Sequence, residues 1–127
     1  MQFNFNSTEP IYLQVARQIE DAIFTGGFHE GEQVPSTTEI SREFHINPAT
    51  VLKGMNLLVS QGLIEKHRGV GMFVSKGAHG QIIQARQQDF YEKYVIKVVT
   101  EAVKLDISKE ELNRLIEQGY QYEGNRS

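Results

Sequence analysis

The chain has 127 residues, 39% hydrophobic and 23% charged, which suits about one globular domain, or one small domain with an appendage, and argues against wholesale disorder. It has no cysteine, which excludes a disulfide framework, a thiol nucleophile and a cysteine-rich zinc site. The net charge of −3 is uneven: residues 1–35 carry −4, residues 36–76 carry +2 and residues 77–127 carry −1, so the positive charge gathers in one central segment.

Residues 1–7 alternate apolar and polar, as a short strand or an ordered arm does. Thr8 is the expected N-cap of a first helix, with Pro10 in its opening turn. From Ile11 to Thr25 the apolar positions Ile11, Val15, Ile19, Ala22 and Ile23 share one helical face, and Gly26-Gly27 ends the run. Ser36-Thr37-Thr38-Glu39 fits a capping box and predicts a short second helix that stops near His45. Asn47 is the expected cap of a third helix, with Pro48 at the first helical position, where a missing N–H costs nothing. Val51, Met55, Leu58 and Val59 form its inner face, while Ala49, Lys53, Asn56 and Ser60 lie opposite. Leu63–His67 and Met72–Ser75 read as two strands joined by the glycine-bearing tip Arg68-Gly69-Val70-Gly71. Residues 78–105 predict one long helix with Phe90, Tyr94, Val95, Val98, Ala102 and Leu105 along one side. Ser108 caps a final helix, with Glu111 completing the box; Gly119 is its expected end and the tail from Tyr120 is expected to be loose.

Helix, turn, helix and hairpin in this order describe a winged helix-turn-helix, a device that presents one helix to a DNA groove and a wing beside it. The expected fold class is therefore mainly α with a small β-hairpin wing (α+β). A DNA-binding domain at residues 1–76 is followed by a two-helix dimerisation hairpin at 77–127. Two helices alone enclose little. The stripe from Phe90 to Leu105, together with Leu112, Leu115 and Ile116, is therefore expected to meet its copy in a homodimer.

The motifs resemble the GntR family of bacterial transcription regulators. Pro10-Ile11-Tyr12-Leu13-Gln14-Val15-Ala16 matches its opening pattern, and Gly26-Gly27-Phe28, Gly31 and Val34-Pro35-Ser36 match its first turn. Thr50-Val51, Gly62-Leu63-Ile64 and the Gly69, Gly71, Phe73-Val74 set complete it, over roughly residues 8–76. The Asn47-Pro48 start and the short helical C-terminal part look most like the YtrA subfamily. The resemblance implies a cytoplasmic, homodimeric, sequence-specific DNA-binding regulator, expected to be a repressor, acting on a palindromic operator of double-stranded DNA. It also implies arginines at the positions of Thr38, Pro48 and Leu52, and their contacts cannot be carried over to this chain. The DNA-facing candidates are Ser36, Thr37, Thr38 and Arg42 on helix two, and Asn47, Pro48, Ala49, Thr50, Lys53 and Asn56 on helix three. Hydroxyls and amides at helix starts suit phosphate, and Lys53 and Asn56 suit base edges. His67, Arg68, Gly69, Val70 and Gly71 form the wing tip, placed by the family pattern beside the minor groove.

An alternative is a winged-helix module that binds protein through the same surface, since the basic patch is modest. Salt dependence of DNA binding separates the two. The four histidines are scattered without metal-ligand spacing, and Gly69-Val70-Gly71 opens no helix, so neither a metal site, a nucleotide site nor another cofactor is expected. No Ser/His/Asp set or supported carboxylate pair occurs, so an enzyme is not expected. No apolar run of about 18 residues occurs, and a membrane span and a secretory signal are not expected. A hinge at residues 75–80 is compatible with a small-molecule effector, and the sequence names none.

Overall fold

The structure, a computed structural model, describes residues 1–126. It consists of helices α1 (Ile11–Thr25), α2 (Thr37–Phe44) and α3 (Pro48–Ser60), strands β1 (Ile64–His67) and β2 (Gly71–Val74), and helices α4 (Ala78–Phe90), α5 (Ile96–Lys104) and α6 (Lys109–Arg126). A five-residue π-helical segment, Tyr91–Val95, lies between α4 and α5. The chain divides into two compact units, Met1–Ala85 and a second from Arg86 onward.

In the first unit Val15, Ile19 and Ile23 of α1, Ile40 of α2 and Val51, Met55 and Leu58 of α3 close one core with Leu63, Ile64 and Val74 of the hairpin. The inner faces expected of α1 and α3 are the buried ones, with Ile11, Ala22 and Val59 at their half-buried margins. Where α1 and α3 cross, buried Gly54 faces the backbone of α1: a Cβ at this position would stand 2.6 Å from the Tyr12 carbonyl oxygen and 3.0 Å from Val15 Cβ.

The N-terminal residues form an ordered arm without a strand. Buried Gln14 holds the arm, donating from Nε2 to the carbonyls of Asn4 and Glu9 (3.0 Å each) and accepting at Oε1 from the Asn4 amide (2.8 Å). Phe3 meets Phe44 edge to face at 5.1 Å between ring centres. Thr8 does not cap α1: the N-cap residue is Pro10, whose carbonyl accepts from the Leu13 and Gln14 amides (3.1 and 3.2 Å).

β1 and β2 pair antiparallel with Ile64 opposite Val74 and His67 opposite Gly71. The segment before α2 adds a third edge to this hairpin. The Val34 amide donates to the Met72 carbonyl (2.9 Å), the Val74 amide to Glu32 (2.9 Å) and the Gly31 amide to Val74 (2.8 Å).

Residues 75–80 belong to the first unit and are not a free hinge. Ala78 and Ile82 are buried in the core, the Gly77 amide donates to the Glu30 carboxylate (2.5 Å), and His79 Nε2 lies 3.1 Å from the Phe24 carbonyl. The expectation of a boundary near residue 76 overlooked that the first turns of α4 supply apolar side chains to the winged unit.

In the second unit α5 ends in a turn at Asp106 (φ 57°), where the Ile107 amide donates to the Ala102 carbonyl (2.9 Å). Ser108 Oγ accepts from the Glu111 amide (3.1 Å) as expected of a cap. The Glu111 carboxylate is held by Arg114 (3.0 and 2.5 Å), so this box has one half only. Gly119 does not end α6, and Tyr120 and Tyr122 are helical. Glycine weakens a helix interior by only about 1 kcal/mol, and with no positive φ at Gly119 the helix runs through it.

Replacing Gly54 by alanine sets a helix-propensity gain of about 1 kcal/mol against overpacking of about 1–3 kcal/mol. The atom opposed is backbone and cannot swing aside, so the close approach wins. Urea unfolding of Gly54→Ala is expected to show a net loss of about 1 kcal/mol or more; equal or higher stability would mean the two helices can separate at little cost.

Candidate nucleic-acid interface

The turn between α2 and α3 sets how the third helix is presented. His45 adopts the left-handed conformation (φ 55°) and the Ile46 amide donates to the Ser41 carbonyl (3.1 Å). Ser41 Oγ donates to the Ile46 carbonyl (2.6 Å), and the Ile46 side chain is buried beneath. A side chain thus closes the turn from within, and α3 leaves it in one direction.

Both helix starts are built as anticipated. Ser36 Oγ accepts from the Glu39 amide (3.0 Å) while the Ser36 amide donates to Glu39 Oε1 (3.3 Å). Asn47 Oδ1 accepts from the Ala49 amide (2.8 Å). Ser36 and Thr37 are half-buried, and Thr38 is exposed on the first turn of α2, with Arg42 exposed one turn later. Such N-terminal turns expose amide dipoles and hydroxyls that suit a phosphate.

On α3, Pro48, Ala49, Leu52, Lys53 and Asn56 are exposed and Thr50 is half-buried. The Lys53 ammonium lies over the Tyr12 ring of α1, 4.0 Å from its centre. A cation over an aromatic face is attracted by about 0.5–1 kcal/mol at exposed sites. Lys53 therefore leans toward α1, at the edge of the helix face whose middle is formed by Ala49 and Asn56. Leu52, 39% exposed, is a large apolar side chain on that outward side.

At the wing, Arg68, Gly69 and Val70 form the exposed tip, closed by the Val70 amide donating to the His67 carbonyl (2.9 Å). Gly69 has φ 77°, which a side chain rarely tolerates. The His67 ring stacks on Phe73 at 4.5 Å, and its Nε2 lies 3.3 Å from Glu65. Sequence reasoning missed Gln33, whose Nε2 donates to the Val70 carbonyl (3.0 Å) and occupies the space a Cβ at Gly71 would need. Ser41, Tyr12 and Gln14 were likewise not singled out for these contacts. The glycine inside the α3 pattern was the available sign of a close approach.

Residues 11–74 match the model of the family described as bacterial regulatory proteins, gntR family. The chain belongs to this family. It is 26% identical over 118 residues to the HTH-type transcriptional repressor YtrA of Bacillus subtilis, covering 93% of this chain and 90% of that protein, so the likeness to YtrA extends well beyond the winged unit. A solved transcriptional regulator of the GntR family from Bacteroides thetaiotaomicron is 33% identical, with a TM-score of 0.68 over 89% of this chain and 98% of its own. The DNA-binding domain of AraR, solved in complex with operator ORX1, is 30% identical with a TM-score of 0.54, over 59% of this chain and 93% of its own. This GntR protein is a DNA-binding transcriptional regulator of YtrA-like kind, not an enzyme. No helix among its described residues is long and apolar enough to cross a membrane.

Two variants separate the charge of the wing from its shape. Arg68→Ala is expected to weaken binding to all DNA sequences and to lower the salt dependence by about one unit of slope per wing that touches DNA. Gln33→Ala, which releases the tip without changing charge, is expected to weaken binding with the slope preserved. Fluorescence anisotropy against salt concentration measures both, and unchanged affinity in both would remove the wing from the interface.

Proposed function

We propose that this regulator is a homodimeric repressor acting on a palindromic operator, with α3 of each protomer in a major groove, α2 against the backbone and each wing reaching toward the neighbouring minor groove. The observation that carries the dimer is the second unit's uncovered apolar surface. Phe90, Tyr94, Val98, Leu105, Leu115 and Ile116 are all exposed, with Val95 and Leu112 half-buried and Ala102 alone of the expected stripe buried. Further apolar side chains, among them Tyr91, Ile96, Val99 and Val103, are exposed on other faces of the same helical run. Burial of one such side chain is worth roughly 2 kcal/mol, so leaving them in water favours association with a second copy.

Two linked heads also account for how a domain that is basic only in its central segment holds DNA. Each head offers few positive groups, so single-head affinity is modest. Joining two heads makes the second contact intramolecular and raises overall affinity by about 10²–10⁴. Two-fold symmetry then calls for half-sites about one helical turn apart. The likeness to the repressor YtrA supports repression by occupancy of such a site.

Sedimentation should give twice the 14.5 kDa chain mass at micromolar concentration. The double variant Val98→Glu, Leu115→Glu is expected to sediment as a monomer and to lose about 100-fold or more in operator affinity, while keeping the far-UV signal of its helices. A wild-type protein of single-chain mass at every concentration would overturn the dimer.

A further inference from the structure

We propose that Leu52 is a specificity-determining residue, reading a thymine methyl group in the major groove. This rests on the placement of α3 in that groove. Leu52 lies on the outward side of the helix, exposed, one turn beyond Pro48 and one turn before Asn56. Pro48 and Ala49, also exposed, extend the same face toward the start of the helix. Ala49 and Asn56 form the middle of this face; Lys53, on one edge, is held over the Tyr12 ring, and Leu52 lies on the opposite edge, so that side of the face carries no charge.

An uncharged face carrying one large apolar side chain selects among base pairs in a definite way. In the major groove guanine and adenine present hydrogen-bonding groups, cytosine an amino group, and thymine alone a methyl beside its carbonyl. Leucine set against guanine or cytosine edges strips water from donors and acceptors and returns no hydrogen bond. Set against a thymine methyl, it buries two apolar groups together. Asn56 is left to supply hydrogen bonds at a neighbouring pair, where an amide suits adenine. The operator is therefore expected to hold a thymine at the Leu52 position of each half-site.

Operator DNA is first obtained by selecting bound sequences from a random pool with the wild-type protein. Each thymine is then replaced in turn by deoxyuridine, which removes the methyl and leaves pairing intact. Wild-type affinity is expected to fall about four-fold at one position per half-site, and about sixteen-fold when both half-sites are changed, as loss of one buried methyl-sized group per site predicts. Leu52→Ala, checked for an unchanged far-UV helix signal, should bind thymine and uracil operators equally. Uracil tolerated at every position overturns the proposal. If Asn56→Ala still alters sequence preference in that case, only the methyl contact falls. If Leu52→Ala and Asn56→Ala both leave affinity and preference unchanged, the placement of α3 falls with it.

Discussion

The close crossing of α1 and α3 is the constraint on which the DNA-facing surface depends. With no Cβ at Gly54, α3 lies directly against the backbone at Tyr12, and this contact determines which face of α3 is turned inward. Val51, Met55 and Leu58 are then buried, and the opposite positions are presented outward without any special device. The crossing also brings the Tyr12 ring beneath the Lys53 ammonium, so one glycine decides both the tilt of the helix and the position of its only cation.

The wing depends on the same unit through a different route. A two-stranded hairpin alone is marginal in water. Here β2 also bonds the segment at Gly31–Val34, which leads directly into the capped start of α2, and Gln33 reaches from that segment to the tip. Tip and helix start are thus tied to one strand-like connection. The exposed tip can be short and glycine-bearing because its base is fastened on both sides.

Much of the winged unit was legible in the sequence because its signals are local. A serine and glutamate three residues apart, an asparagine followed by proline, and two short apolar runs around glycines each carry their geometry within a few residues. What was not legible is non-local or a matter of degree. Gln33 and Val70 are 37 residues apart, and nothing near either one announces the bond. Ala78 and Ile82 read as the start of a long helix, whose pattern cannot say that its first turns complete the core of a preceding domain. Gly119 reads as a stop because glycine often is one; its effect depends on φ, which is not positive here, and α6 continues through it. Thr8 has the chemistry of a cap, but Pro10 opens the helix two residues later.

The wide turn at Tyr91–Val95 has a consequence for the helical pair. A π turn carries one residue more than an α turn, so everything after it is rotated relative to a straight helix. Phe90, just before this step, and Tyr94, within it, have rings 5.5 Å apart. Within the second unit, Phe90 ahead of this step and Ile96, Val99 and Val103 after it therefore do not follow the spacing of one continuous α-helix. The added residue turns the apolar side chains that follow it to a different side than an unbroken α-helix would give them, so the exposed apolar surface of this unit is stepped and not straight.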